Sequence, residues 1–458
     1  MKRKRTYQTI GVQQLRLAEV LPLVVTGCIV ALDVAKQKFV VALASVDGTL
    51  VKLFRFEHPT ETRMLLDVVA ALRDELGADK LRVAMEPTGS YGDAIRHQLV
   101  SSGARVMMVS PNKTHDSQAI FDNVQSLHDP KSALLVAKLC AMGLATDWTP
   151  PAPTRERLRA LVELRQHVRQ HEERCMGRLE GLLARHWPEF GQWMEVRQQK
   201  TPLRLLATYS GPSRVEAGSH EATTLLFDTS RGRLSRQAIE GVVEGARTTL
   251  GVPMMEEQER YLRTLALDAE AARNHTALLD DEMKEVGKDD EAFARLATWM
   301  GTYTAAVLVT MCDPLQYENP RQLEKACGLN LREKSSGEHR GRLSITKRGP
   351  GLVRQVLYLF ALRMILESPP VRAWYRRRRA YTDDAKRCAI VAVMRKLARA
   401  AFHVAKGATF DASKLFDLRR LDLESCATRT RPNRAPRTTP RPIARGAKRS
   451  RKEVNASA

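Results

Sequence analysis

An α/β unit leading into a mainly helical remainder is the fold class that the sequence predicts, and three features point to it. Residues 29–58 are rich in β-formers around an Asp-Gly turn. Helical and strand-like segments then alternate to about residue 142. A proline cluster at 149–153 comes next, followed by long charged stretches with helical spacing.

The first unit reads element by element. Ile29 to Asp33 and Phe39 to Ser45 are strands, Asp47-Gly48 is a hairpin turn, and Leu50 to Phe56 is a third strand. Thr60 to Leu76 follows helical spacing, with Leu65, Leu66, Val69, Leu72 and Leu76 on one face. A short strand is expected at Leu81 to Met85, a helix around Tyr91 to Ser101, a strand at Arg105 to Val109 and a closing helix from Pro130 to Met142. Three antiparallel strands followed by alternating helix and strand is the order of a ribonuclease H-like fold, with parallel pairing expected in the alternating part.

After Thr149-Pro150-Pro151-Ala152-Pro153 the texture changes. Leu158, Leu161, Leu164, Val168, His171, Cys175 and Leu179 fall near a coiled-coil seam within Thr154 to Trp187, and a second such stretch runs from Met254 to Val286. Paired helices are expected, within one chain or across a homodimer or homotetramer. Residues 190–251 are poorly patterned and receive no role. From Phe293 to Phe410 the chain is compact, helical and basic, and beyond residue 411 it reads as a basic tail too polar to fold. The expected division is therefore a basic extension at 1–27, an α/β unit at 28–150, a coiled-coil region at 151–290, a second functional domain at 291–410 and a disordered tail at 411–458.

Charge narrows the partners. Lys and Arg number 74 against 52 Asp and Glu, a formal net charge of +22. That excess suits a polyanion, nucleic acid first, although an arginine-rich codon bias is the plain alternative. The seven cysteines show no C-x-x-C pair and no neighbouring His pair at zinc spacing, so they read as reduced structural thiols of a cytoplasmic protein. A signal peptide is rejected, because Arg16 and Glu19 separate Lys2-Arg3-Lys4-Arg5 from an apolar run broken by Pro22 and Gly27. No apolar stretch is long enough to span a bilayer, so no membrane partner is expected.

Two constellations carry chemistry. Asp33 ends the first strand, Glu86 follows the fourth in Met85-Glu86-Pro87-Thr88-Gly89-Ser90-Tyr91, and Asp129 opens the last helix of the unit in His128-Asp129-Pro130-Lys131. Acids at adjacent strand ends can converge on one or two Mg²⁺ ions, and such a site handles phosphodiesters. The plain alternatives are solvated strand ends for Asp33 and Glu86 and a helix N-cap for Asp129. The second constellation is Ser335-Ser336-Gly337 amid Arg332, Lys334, Arg340, Arg342, Lys347, Arg348 and, further on, Arg354. Cations around a serine suit attack on a phosphate, and equally a turn that only contacts DNA backbone.

The segments Ala31-Leu32-Asp33-Val34-Ala35-Lys36, Met85-Glu86-Pro87-Thr88-Gly89-Ser90-Tyr91 and Asp129-Pro130-Lys131-Ser132-Ala133 resemble the three acidic motifs of the DEDD-type insertion-sequence transposases. The resemblance covers most of residues 28–410. It implies a RuvC-like first domain with a Mg²⁺ site at Asp33, Glu86 and Asp129, a coiled-coil middle, and a second transposase domain. In that domain the serine before glycine is the recombination nucleophile, which points to Ser336, with Ser335 as the fallback. The family has a fourth acid where this chain has Ser132, a weak metal ligand, and nothing in their spacing favours Asp116 or Asp122 as replacements. Asn330-Leu331 and Gly349-Pro350 also depart from the pattern, and Trp299-Met300-Gly301-Thr302 stands where Pro-Gly-Val-Gly is common. The resemblance further implies a covalent phosphoserine link to DNA, a composite site completed by a partner protomer, and a structured non-coding RNA that guides element ends to their target. A nucleoid-associated recombinase is the expectation. The competing readings are a RuvC-class nuclease using the carboxylates alone and a decayed, non-cutting relative.

Overall fold

The computed structural model describes residues 7–87, 89–119, 128–333, 341, 343–379 and 385–423. The chain divides into two compact units, Met1–Ala152 and Pro153–Ala458.

The first unit is built on a seven-stranded sheet of β1 (Ile10–Gly11), β2 (Cys28–Asp33), β3 (Lys38–Ser45), β4 (Leu50–Glu57), β5 (Leu81–Met85), β6 (Val106–Val109) and β7 (Ala145–Asp147). The strand order is β1-β4-β3-β2-β5-β6-β7. β2, β3 and β4 pair antiparallel, while β2–β5 and β5–β6 are parallel. Both edge strands escaped the sequence reading. β1 pairs parallel to β4 over two residues and β7 antiparallel to β6 over three, too short for an alternating pattern to register. The described part of the expected N-terminal extension folds onto the sheet, with Val12, Val20 and Val24 buried around α1 (Leu17–Val20).

Helices cover both faces, which is why the central strands are almost continuously apolar. On one face α2 (Thr62–Leu76) and α3 (Asp93–Ser101) bury Leu65, Leu72, Ile95 and Leu99 against Val30, Leu32, Val83 and Met85. On the other, the short α4 (Pro111–Asp116) precedes α5 (Asp129–Ala141), whose Ala133, Val136, Ala137 and Cys140 pack on Ile29, Ala31 and Ala84.

In the second unit α6 (Pro153–His186) and α12 (Glu256–Gly287) pair with each other. The pairing is antiparallel, since Arg165 meets Asp280 while Arg273, earlier in α12, meets Glu172, later in α6. The buried face of α6 carries Leu158, Leu161, Val162, Val168, Cys175, Met176, Leu179 and Leu183. Leu164 and His171, expected in the seam, are exposed; the buried face follows the 3.6-residue turn of a straight helix past those positions.

Residues between the long helices form α7 (Phe190–Trp193), α8 (Thr201–Tyr209), α9 (Pro212–Ala217), α10 (Ser219–Ser230) and α11 (Arg236–Arg247). Short helices at changing angles leave no long periodic signal, but they close a core around Trp187, Phe190, Leu205, Leu226 and Leu265. A second core gathers α13 (Glu291–Met300), α14 (Thr302–Met311), α15 (Pro320–Ala326), α16 (Gly351–Glu367), α17 (Pro369–Arg379) and α18 (Ala385–Ala405). Arg155 anchors the start of α6 to this core through ion pairs with Asp290 and Asp313 and a hydrogen bond to the Val309 carbonyl. Glu324, buried, is clamped by Arg395 and Arg399. The ordered chain continues beyond residue 410: Phe416 is 2% exposed, and Leu415, Leu418 and Leu421 pack against the same core. Spaced apolar residues thus fold the first part of the expected disordered tail, and residues 424–458 lie outside the described residues.

Candidate active site

The acids converge because of strand geometry. Parallel pairing of β2 and β5 sets Leu32 opposite Met85, so Asp33 and Glu86 stand next to each other at the carboxyl ends of adjacent strands. Side chains alternate across a sheet. Val30 and Leu32 point to the α2–α3 face and Ile29 and Ala31 to the α5 face, so Asp33 takes the α5 side. By the same alternation Met85 faces α2–α3, and Glu86 falls on the α5 side. Asp129 is the first residue of α5, which packs on β2, β3, β5 and β6.

The electrostatics register this meeting. The Asp33 carboxyl is pushed up to about 7 from an ordinary 3.8, first by burial, then by the negative charges of Asp129 and Glu86. Crowded carboxylates in a half-buried setting favour the charged form only when a cation joins them. Three oxygen-donor side chains on rigid elements have the chemistry to hold a hard divalent ion, although their oxygens do not all gather within 4.8 Å of one another as those of a preformed site would.

Asp129 does not cap its helix. His128 is the N-cap, and its Nδ1 accepts from the Lys131 backbone N–H at 3.3 Å. The His128 ring also lies 4.7 Å, centroid to centroid, from Tyr7. The Asp129 carboxylate is thus not spent on capping, and it sits at the helix end whose partial positive charge favours anions. Ser132 lies three residues on, half-buried, in the same first turn. Asp116 ends α4, and Asp122 is outside the described residues.

Sequence reasoning missed Thr114. This buried hydroxyl on α4 donates to Glu86 Oε1 and fixes the carboxylate after its strand ends. No motif announces it; only the packing of α4 beside α5 brings it there.

In the second unit, β8 (Leu331–Arg332) and β9 (Ser344–Ile345) pair antiparallel. Ser335 and Ser336, with Lys334, Arg340 and Arg342, fall between those strands in sequence and lie outside the described residues. The base of this segment is tightly built. Gly349 lies so close to the end of α15 that a Cβ there would stand 2.2 Å from the Ala326 carbonyl oxygen. Arg354 donates to the Gly349 carbonyl at 2.7 Å and leans on that of Cys327 at 3.5 Å, so its guanidinium braces backbone. Arg332 is exposed on β8, and Lys347 adopts a left-handed φ of 57° beside Arg348. Cys312 and Cys327 are both buried in the same helical core.

A mixed sheet of this order, with acids at the ends of its central parallel strands, fits the ribonuclease H-like class of nucleic-acid enzymes. The family comparisons specify it further. Residues 30–188 match a DEDD-type model described as a transposase, and residues 298–376 match the model of the transposase IS116/IS110/IS902 family. No curated protein matches the chain. The chain belongs to the IS110 family of transposases and is an enzyme of DNA transposition and recombination. Among the described residues no helix is long and apolar enough to cross a membrane.

Proposed function

We propose that this transposase recombines element ends with target DNA using Asp33, Glu86 and Asp129 as a Mg²⁺ site and Ser336 as nucleophile. The observation that carries the reading is the meeting of the three acids at one end of the sheet, where burial first and then the charges of Asp129 and Glu86 raise the Asp33 carboxyl to about 7. A bound divalent ion supplies charge neutralisation and polarisation of the phosphoryl oxygens. Thr114 holds Glu86 in place, and α5 holds Asp129. Ser132 offers at most a water-mediated contact. Ser336 Oγ forms a bond to phosphorus as a bridging P–O bond of one strand breaks, and the serine proton ends on the released sugar oxygen. Attack by a second strand's hydroxyl then reverses the link and completes exchange.

The remaining expectations follow from membership of the family. The first unit carries the metal site and residues 291–410 the serine. A partner protomer completes the site in a dimer or tetramer, and a structured non-coding RNA reads the sequence while basic side chains grip backbones. Arg332, Lys347 and Arg348 face that task, and Arg354 braces the backbone at Gly349.

The test is recombination between element ends and a target plasmid, with Mg²⁺ and the flanking transcript supplied. Wild type should recombine, and Asp33→Ala and Ser336→Ala should both fail. Retained activity in Ser336→Ala would remove the serine role and leave a nuclease working by carboxylates alone. Recovery only in Ser132→Asp would mark a decayed copy.

A further inference from the structure

The antiparallel pair of α6 and α12 is laced by ion pairs, Arg165 to Asp280 and Arg273 to Glu172. Beside the Arg273–Glu172 pair stands a different set of side chains. His171 and Cys175 stand one helical turn apart on α6, and Asp268 reaches them from α12. One donor atom from each, an imidazole nitrogen, a thiol sulfur and a carboxylate oxygen, lies within 4.8 Å of the other two.

We propose that His171, Cys175 and Asp268 bind one borderline-soft divalent ion, Zn²⁺ first, which clips α6 to α12. This site is separate from the carboxylates of the first unit. Its geometry favours the reading. Zinc–sulfur and zinc–nitrogen bonds of about 2.3 and 2.0–2.1 Å, meeting at a tetrahedral angle, set sulfur and nitrogen about 3.6 Å apart. Cys175 Sγ and His171 Nε2 are 3.6 Å apart. The i, i+4 spacing is the one by which a helix offers two ligands on one face. Asp268 is exposed, so its carboxylate has room to move the short distance to the third position.

Donor chemistry selects the ion. A sulfur and an imidazole disfavour Mg²⁺ and Ca²⁺, and one carboxylate suits Zn²⁺ with water in the fourth position. The sulfur is buried, packed in the core with Met176 and Leu179, while His171 and Asp268 face solvent, so an ion enters from outside and rests on the buried sulfur. Binding replaces the thiol proton, which passes to solvent, and involves no change of oxidation state. Because the ligands come from both long helices, the folded pair alone presents all three, and the ion stabilises it.

The test uses reduced full-length protein and Co²⁺ as a spectroscopic probe for zinc. Wild type should show a thiolate-to-cobalt charge-transfer band saturating at one equivalent, displaced by Zn²⁺ and untouched by excess Mg²⁺. Cys175→Ser should abolish the band, and Cys388→Ser, at an exposed thiol, should keep it. Asp268→Asn leaves the buried core intact and should weaken Co²⁺ binding at least about tenfold, the cost that even the loss of an outer-shell partner carries. Absence of the band in wild type, its survival in Cys175→Ser, or unchanged affinity in Asp268→Asn would each overturn the site.

Discussion

Replacing Asp33 with Asn should stabilise the folded chain, and the gain should depend on pH. A carboxyl held at about 7 instead of 3.8 corresponds to about 4 kcal/mol between its two protonation states. Solvent reaches this half-exposed group, so about half of that, roughly 2 kcal/mol, is the expected gain. The sign follows from proton linkage. Between pH 3.8 and about 7 the folded state holds more protons on Asp33 than the unfolded state, so wild-type stability falls as pH rises through this window. Below it the penalty is absent, and above it the penalty is complete. Asn carries no charge at any pH. Thermal unfolding followed by circular dichroism should therefore put Asp33→Asn about 4–8 °C above wild type at pH 8, taking 2–4 °C per kcal/mol for a unit of this size. At pH 4 the two should melt together. Millimolar Mg²⁺ should raise wild type toward the variant at pH 8 and leave the variant unmoved. A variant no more stable than wild type at pH 8, or a gain that persists at pH 4, would refute the view that burial and the neighbouring charges of Asp129 and Glu86 penalise ionised Asp33 in the folded state.

Further outcomes follow from other contacts. Arg155→Ala leaves Asp290 and Asp313 without their shared cation and should cost about 3–5 kcal/mol in chemical denaturation, because the pairs are largely buried. Gly349→Ala forces a Cβ onto the Ala326 carbonyl oxygen; it should cost about 1–3 kcal/mol and abolish strand transfer while leaving Mg²⁺ stabilisation of the first unit unchanged. Thr114→Ala frees Glu86 from its hydroxyl partner and should raise the Mg²⁺ concentration needed for half-maximal recombination, whereas Ser132→Asp should lower it. Truncation after residue 423 removes a strongly basic segment and should flatten the salt dependence of DNA binding without altering site choice.

The sequence by itself determined the strands and helices of the first unit, because β2 to β6 and α2, α3 and α5 each carry a period of 2 or 3.6 long enough to read. It also named Asp33, Glu86 and Asp129, whose neighbours form motifs. Tertiary structure decided what local pattern cannot encode. Strand pairing in parallel set Asp33 beside Glu86, and the pleat turned both toward α5. Packing brought Thr114 onto Glu86 from a six-residue helix, and His128 took over the capping that Asp129 was free to perform. Antiparallel docking of α6 on α12 joined His171 and Cys175 to Asp268, more than ninety residues away in the chain. The same docking left Leu164 in solvent, and a separate packing drew Leu415, Leu418 and Leu421, read as tail, onto the helical core. Apart from the local His128 cap, these outcomes rest on contacts between residues distant in sequence, and a periodicity reports only which face of an element is buried, never what it meets there.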